Sequence, residues 1–152
     1  MKKAKNQNNL SQEDIFKLYE YLTLFESNIK EYCGTFNFSD TRIQDFQDKA
    51  NLVLRAYTAN RYILGSSVKQ NKYYLIFEAK KPKKEEYNDI AFHLLRHLRN
   101  SIAHALIRKK GKNFFLEDKN SNGSITCQGN IRRDLFYELI NKIIETKSYV
   151  NT

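Results

Sequence analysis

The chain has 152 residues, enough for one domain that buries roughly two-thirds of its unfolded surface and needs no disulfide or metal staple. Its 26 Lys and Arg against 17 Asp and Glu give a formal charge of +9, which favours an anionic partner such as nucleic acid, although a lysine surplus also serves solubility alone. Cys33 and Cys127 stand far apart without metal-ligand spacing, and neither a signal-type apolar run nor eighteen consecutive apolar residues occurs, so the expectation is a cytoplasmic chain with no cofactor, no metal and no membrane partner.

Residues 1–10, MKKAKNQNNL, have the composition of a flexible leader, and residues 11–152 are expected to form a single domain. Ser11 with Asp14 suits a capping pair, and Ile15, Leu18, Tyr19, Leu22, Phe25 and Ile29 recur at helical spacing, predicting a first helix over about 12–32 that ends at Gly34. Ser39 or Asp40 caps a second helix, about 41–66, on Ile43, Phe46, Ala50, Val53, Leu54, Tyr57 and Leu64. The stretch NKYYLIFEAKKP, 71–82, fits strand and helix equally; its aromatic residues Tyr73, Tyr74 and Phe77 could stack bases, but aromatics at that density more often fill a core, and they are assigned no function. Pro82 breaks the chain before a third helix, about 85–108, which Gly111 follows. FFLED, KNSNGS and ITCQG then read as a small β-hairpin, and Asn130 is placed to cap a last helix over about 131–146.

Within the third helix, HLLRHLRNSIAHAL divides by angle. Ala91, Leu94, Leu95, Leu98, Ile102, Ala105 and Leu106 fall in one arc of roughly 120°, the expected core face, while His93, His97, Asn100, His104 and Arg108 lie opposite. His93 and His97, four apart, supply two metal ligands at most, so no metal site is assigned.

RNSIAH, Arg99 to His104, resembles the R-x4-H signature of the HEPN superfamily, with Asn100 at the polar position that follows the arginine. The resemblance covers about residues 12–146 and implies an all-α fold, a four-helix bundle with a small β-hairpin before the last helix. It also implies a metal-independent ribonuclease that works as a dimer, the motifs of both copies lining one cleft. On that basis Arg99, Asn100 and His104 are the expected catalytic residues. A histidine titrating near neutrality can move the proton of a ribose 2′-OH or of the departing 5′-oxygen. An arginine fork can hold the phosphate as charge builds on it. Asn100 is expected to organise the imidazole or the phosphate.

Arg99 and His104 are about 140° apart around a helix and about 7.5 Å along it, so a two-fold contact through the polar face of the third helix is expected to complete the site. Arg108, Lys109, Lys110 and His97 are the expected RNA contacts. The implied setting is a toxin–antitoxin or antiphage effector with an antitoxin or inhibitory partner. A toxin subgroup of the family extends the motif to R-x4-H-x-Y; position 106 here is Leu106, so control through a modified tyrosine is not implied. Two other readings stand beside this one: a non-catalytic RNA- or nucleotide-binding or dimeric scaffold module, and a basic four-helix protein unrelated to the family.

Overall fold

In the computed structural model, residues 8–30, 36–57, 73–79 and 90–147 are described. Helix α1 (Gln12–Leu24) starts as its sequence demands: the Ser11 side chain accepts from the Asp14 amide and its hydroxyl donates to the Asp14 carboxylate. A π-helical turn, Phe25–Ile29, prolongs it. Leu18, Tyr21, Phe25 and Ile29 face inward, whereas Ile15 and Tyr19, expected among the core positions, are 48% and 69% exposed.

Helix α2 (Thr41–Ala50) is capped by Asp40 but stops far short of residue 66. Asn51 enters the left-handed region at φ 53°, a conformation asparagine tolerates, and strand β1 (Leu52–Tyr57) follows. Val53, Leu54 and Tyr57 satisfy a helical spacing, but the same segment also alternates, with Leu52 buried and Arg55 exposed. Residues 58–66 of the expected second helix lie outside the described residues, as do 85–89 of the third. The ambiguous segment resolves as strand β2 (Tyr73–Glu78), which pairs with β1 in parallel from Leu52↔Tyr73 to Tyr57↔Glu78.

Helix α3 (Ile90–Ala103) also ends early, and Ile107–Lys110 is strand β3 rather than its last turn. The expected hairpin becomes a three-stranded meander of β3, β4 (Asn113–Lys119) and β5 (Ile125–Arg132), turning at Asn120–Ser124. Helix α4 (Arg133–Glu145) has Arg132 at its N-cap without a side-chain hydrogen bond, so Asn130 is a strand residue and not the cap.

The expected all-α, four-helix bundle is thereby overturned. The chain is mixed α/β: the described residues form a five-stranded mixed sheet in the order β1-β2-β5-β4-β3 and four α-helices. Its core lies between one sheet face and the helices. Leu75 and Phe77 of β2, Phe114 and Leu116 of β4, and Cys127 and Ile131 of β5 meet Leu94, Leu95 and Leu98 of α3 and Phe136, Leu139 and Ile143 of α4. Phe114 meets Phe136 edge-on with ring centres 5.3 Å apart, a favourable aromatic geometry. At Gly129 a Cβ would run into the Leu75 side chain and come within 3.1 Å of the Tyr74 carbonyl, so only glycine lets β2 and β5 close here. No helix among the described residues is long and apolar enough to cross a membrane.

Candidate functional site

The R-x4-H motif lies at the C-terminal end of α3. Ala103 is the last helical residue, His104 the cap, and Ala105 stands in the left-handed conformation at φ 56°. The Leu106 amide donates to the Ser101 carbonyl at 2.8 Å and the Ala105 amide to the Ile102 carbonyl at 3.1 Å, the paired bonds of a Schellman closure. Leu106 then accepts from the Glu117 amide at 3.1 Å, which ties the closure to β4. His104 is thus an exposed side chain on a backbone fixed from both sides. Ala105 occupies a position that favours glycine. Ala105→Gly is expected to raise stability by about 0.5–1 kcal/mol, read as a higher denaturant midpoint with an unchanged slope.

Behind the motif runs a chain of polar groups. Arg99 donates through Nε to Glu26 at 3.2 Å and through Nη1 to Asn100 Oδ1 at 3.1 Å. Asn100 Nδ2 donates to Asp118 Oδ2 at 3.1 Å. His97 lies 2.8 Å from the same carboxylate oxygen through Nδ1 and 2.7 Å from the Glu78 carbonyl through Nε2. The chain therefore links the π-helical turn, α3, β4 and β2.

Burial pushes the Asp118 carboxyl up, but hydrogen bonds from His97 and Asn100 and the His97 charge outweigh it and hold Asp118 below the usual carboxylate range. His97 Nδ1 thus sits against the Asp118 carboxylate and Nε2 against the Glu78 carbonyl oxygen, which fixes the ring at both nitrogens. His97 and Asp118 form a buried pair, with side chains 2% and 5% exposed.

These placements correct several expectations. His97 does not point away from the fold: α3 is covered by α1 on one side and by the sheet on the other, so the polar arc of the helical wheel faces β4 and β2 rather than solvent. A buried His97 cannot contact RNA, and with Ser101 also fully buried the polar face of α3 is not open to a second copy. Only its C-terminal end, with His104 exposed and Arg99 about one-third exposed, remains accessible. Asn100 organises Arg99 and Asp118, not the His104 imidazole. His93 is half-buried in the first turn of α3.

Of the expected RNA contacts, Arg108 and Lys110 are exposed on β3. Lys109 points to the helix side and lies 3.6 Å from Asp14. Asp14 is fully buried, and it also accepts from Arg133 Nε and from the Tyr137 hydroxyl at 3.1 Å, which pins the start of α1 to α4 and β3. Burial raises the Asp14 carboxyl, but bonds from Arg133, Ser11 and Tyr137 bring it below its ordinary range.

Asp118 is the residue that sequence reasoning missed. Its signal was alternation: Phe114, Leu116 and Asp118 share one face of β4, so the carboxylate had to point where two apolar side chains point. The described residues hold no group of three or more His, Cys, Asp or Glu placed to share a metal ion. No family model, curated protein or solved structure matches the chain.

Proposed function

We propose that the chain is a metal-independent endoribonuclease with Arg99 and His104 as its catalytic pair and a second copy completing the centre. The observation that supports this most is the contrast at the end of α3. His97 and Asn100 are absorbed into structural bonds, while His104 is exposed on a backbone locked by the Schellman closure. A rigidly mounted, accessible imidazole is what proton transfer to and from RNA oxygens requires. Arg99, pre-oriented by Asn100, has the planar fork that a phosphate takes. The reading rests on these residues and on the motif's resemblance, since the fold departs from the four-helix arrangement the resemblance implied. Its setting would be a toxin–antitoxin or antiphage effector, held in check by a partner.

In this reading the 2′-OH attacks the adjacent phosphate, His104 of one copy moves the proton, and the products carry a 2′,3′-cyclic phosphate and a 5′-hydroxyl. Arg99 stabilises the charge that gathers on the phosphoryl oxygens. The use of Asn100 as a structural bond also favours a second reading, an RNA-binding or dimeric scaffold module without catalysis. Purified chain incubated with single-stranded RNA in EDTA decides between them. Cleavage with cyclic-phosphate ends is expected, and equal cutting of DNA, loss of activity in EDTA, or RNA binding without cleavage would overturn the ribonuclease reading.

A further inference from the structure

The helices account for one face of the sheet. On the other, strand alternation sets Arg108, Phe115, Asn130 and Tyr74 in a single lateral row, since Arg108 pairs with Phe115, Phe115 with Asn130, and Asn130 with Tyr74. Phe115 and Tyr74 are half-buried, and among the described residues neither belongs to the apolar core cluster. They stand two strands apart, about 10 Å between backbones, with the Asn130 amide between them. A groove of about 200 Å³ follows this row; Tyr74, Phe115, Arg108, Gln128 and Glu117 line it, and Ala105, the neighbour of His104, forms part of its rim.

We propose that this groove binds an unpaired base of single-stranded RNA, stacked on Phe115 and Tyr74, with Arg108 holding the adjoining phosphate. Flat aromatic faces accept any nucleobase, and a planar guanidinium beside them supplies the counter-charge to the backbone. Glu117, one row further along, presents a carboxylate to the polar edge of a base. Glu117 repels a phosphate but accepts from a base N–H, so the phosphate belongs at the Arg108 end and the base at the other. A duplex keeps its bases stacked and paired and cannot fill such a groove. A second copy docked face to face would bring Arg108 and Lys110, which alternation places on this same face, into their own positive field. The formal charge of +9 fits the same polyanion. The role of the groove in feeding a base past His104 rests on the ribonuclease reading; the binding itself does not.

The test is fluorescence anisotropy with a labelled, fully 2′-O-methylated single-stranded oligonucleotide, which internal 2′-OH attack cannot cut, and with its duplex. Phe115→Ala and Tyr74→Ala are each expected to weaken single-strand binding about 5- to 100-fold, and Phe115→Tyr to retain it. Arg108→Gln is expected to lower the slope of log affinity against log salt by about one. If Phe115→Ala fails to fold, Phe115→Leu keeps apolar bulk while removing the flat face, and it should still bind weakly. Unchanged affinity in the folded variants overturns the proposal. So does duplex binding as tight as single-strand binding, or loss of a dimer in Phe115→Ala with RNA affinity intact. Cleavage enters nowhere in this measurement: a chain that cuts no RNA but shows these losses keeps the groove and removes the ribonuclease reading, and the reverse pattern does the opposite.

Discussion

If the proposed ribonuclease reading holds, His104→Ala is expected to lower RNA cleavage by about 10²- to 10⁴-fold, the usual worth of a positioned general acid or base, while leaving the fold intact. The side chain is exposed and lies outside the polar network of its neighbours, so its removal changes stability by no more than about 0.5 kcal/mol. Single-turnover cleavage and a thermal melt on the same preparation separate the two effects. Arg99→Ala is expected to act on the phosphate instead, at a cost on the order of 10²- to 10³-fold. The pair also tests the second copy. In the proposed shared site, mixing Arg99→Ala with His104→Ala would give mixed dimers that retain one arginine and one histidine from opposite chains, and activity is expected to return above either variant alone. Two variants that remain inactive when mixed would show that each chain carries its own complete site.

His97→Ala has the largest expected effect on the fold. It removes the partner of a buried carboxylate and leaves Asp118 with Asn100 and its neighbouring amide alone. Leaving a buried carboxylate without that partner costs about 3–5 kcal/mol, which for a chain of this size lowers the melting midpoint by roughly 10 °C. The pH dependence identifies the cause. Asp118 is held below the usual carboxylate range in the folded wild type, so it binds protons more weakly there than in the unfolded chain. Its stabilising contribution is complete above about pH 5 and is lost as pH falls through the ordinary aspartate value near 4 towards the lower folded one. In His97→Ala burial dominates and raises the carboxyl, so acid relieves the variant of a buried charge. Its stability deficit relative to wild type should therefore shrink between pH 7 and pH 4. A deficit that stays constant over that range would mean the loss is one of packing and not of charge.

The parts of the fold that local chemistry dictates were legible. Ser11 with Asp14 marked the start of α1, Asp40 that of α2, and the KNSNGS segment the β4–β5 turn. What was not legible was set by pairing between distant segments. Leu52–Tyr57 carries enough apolar residues to continue a helix, and only the presence of β2 beside it makes the extended form the better one. The helical wheel of α3 correctly separated Leu94, Leu95 and Leu98 from His97 and Asn100, but a wheel cannot say that the second face meets a sheet. His97 was read as a surface group for that reason. His104 kept its expected exposure because Ala105 stops the helix before the sheet edge.

The strand order also governs how this chain reaches its native state. The β3-β4-β5 meander and α4 join neighbours in sequence, so they can form early at little entropic cost. Joining β2 to β5 brings together segments from either side of α3, and His97 of α3, held between Asp118 of β4 and the Glu78 carbonyl of β2, lies across that join. The expected order is therefore a C-terminal half that assembles locally first, with β2 and then β1 joined to it afterwards.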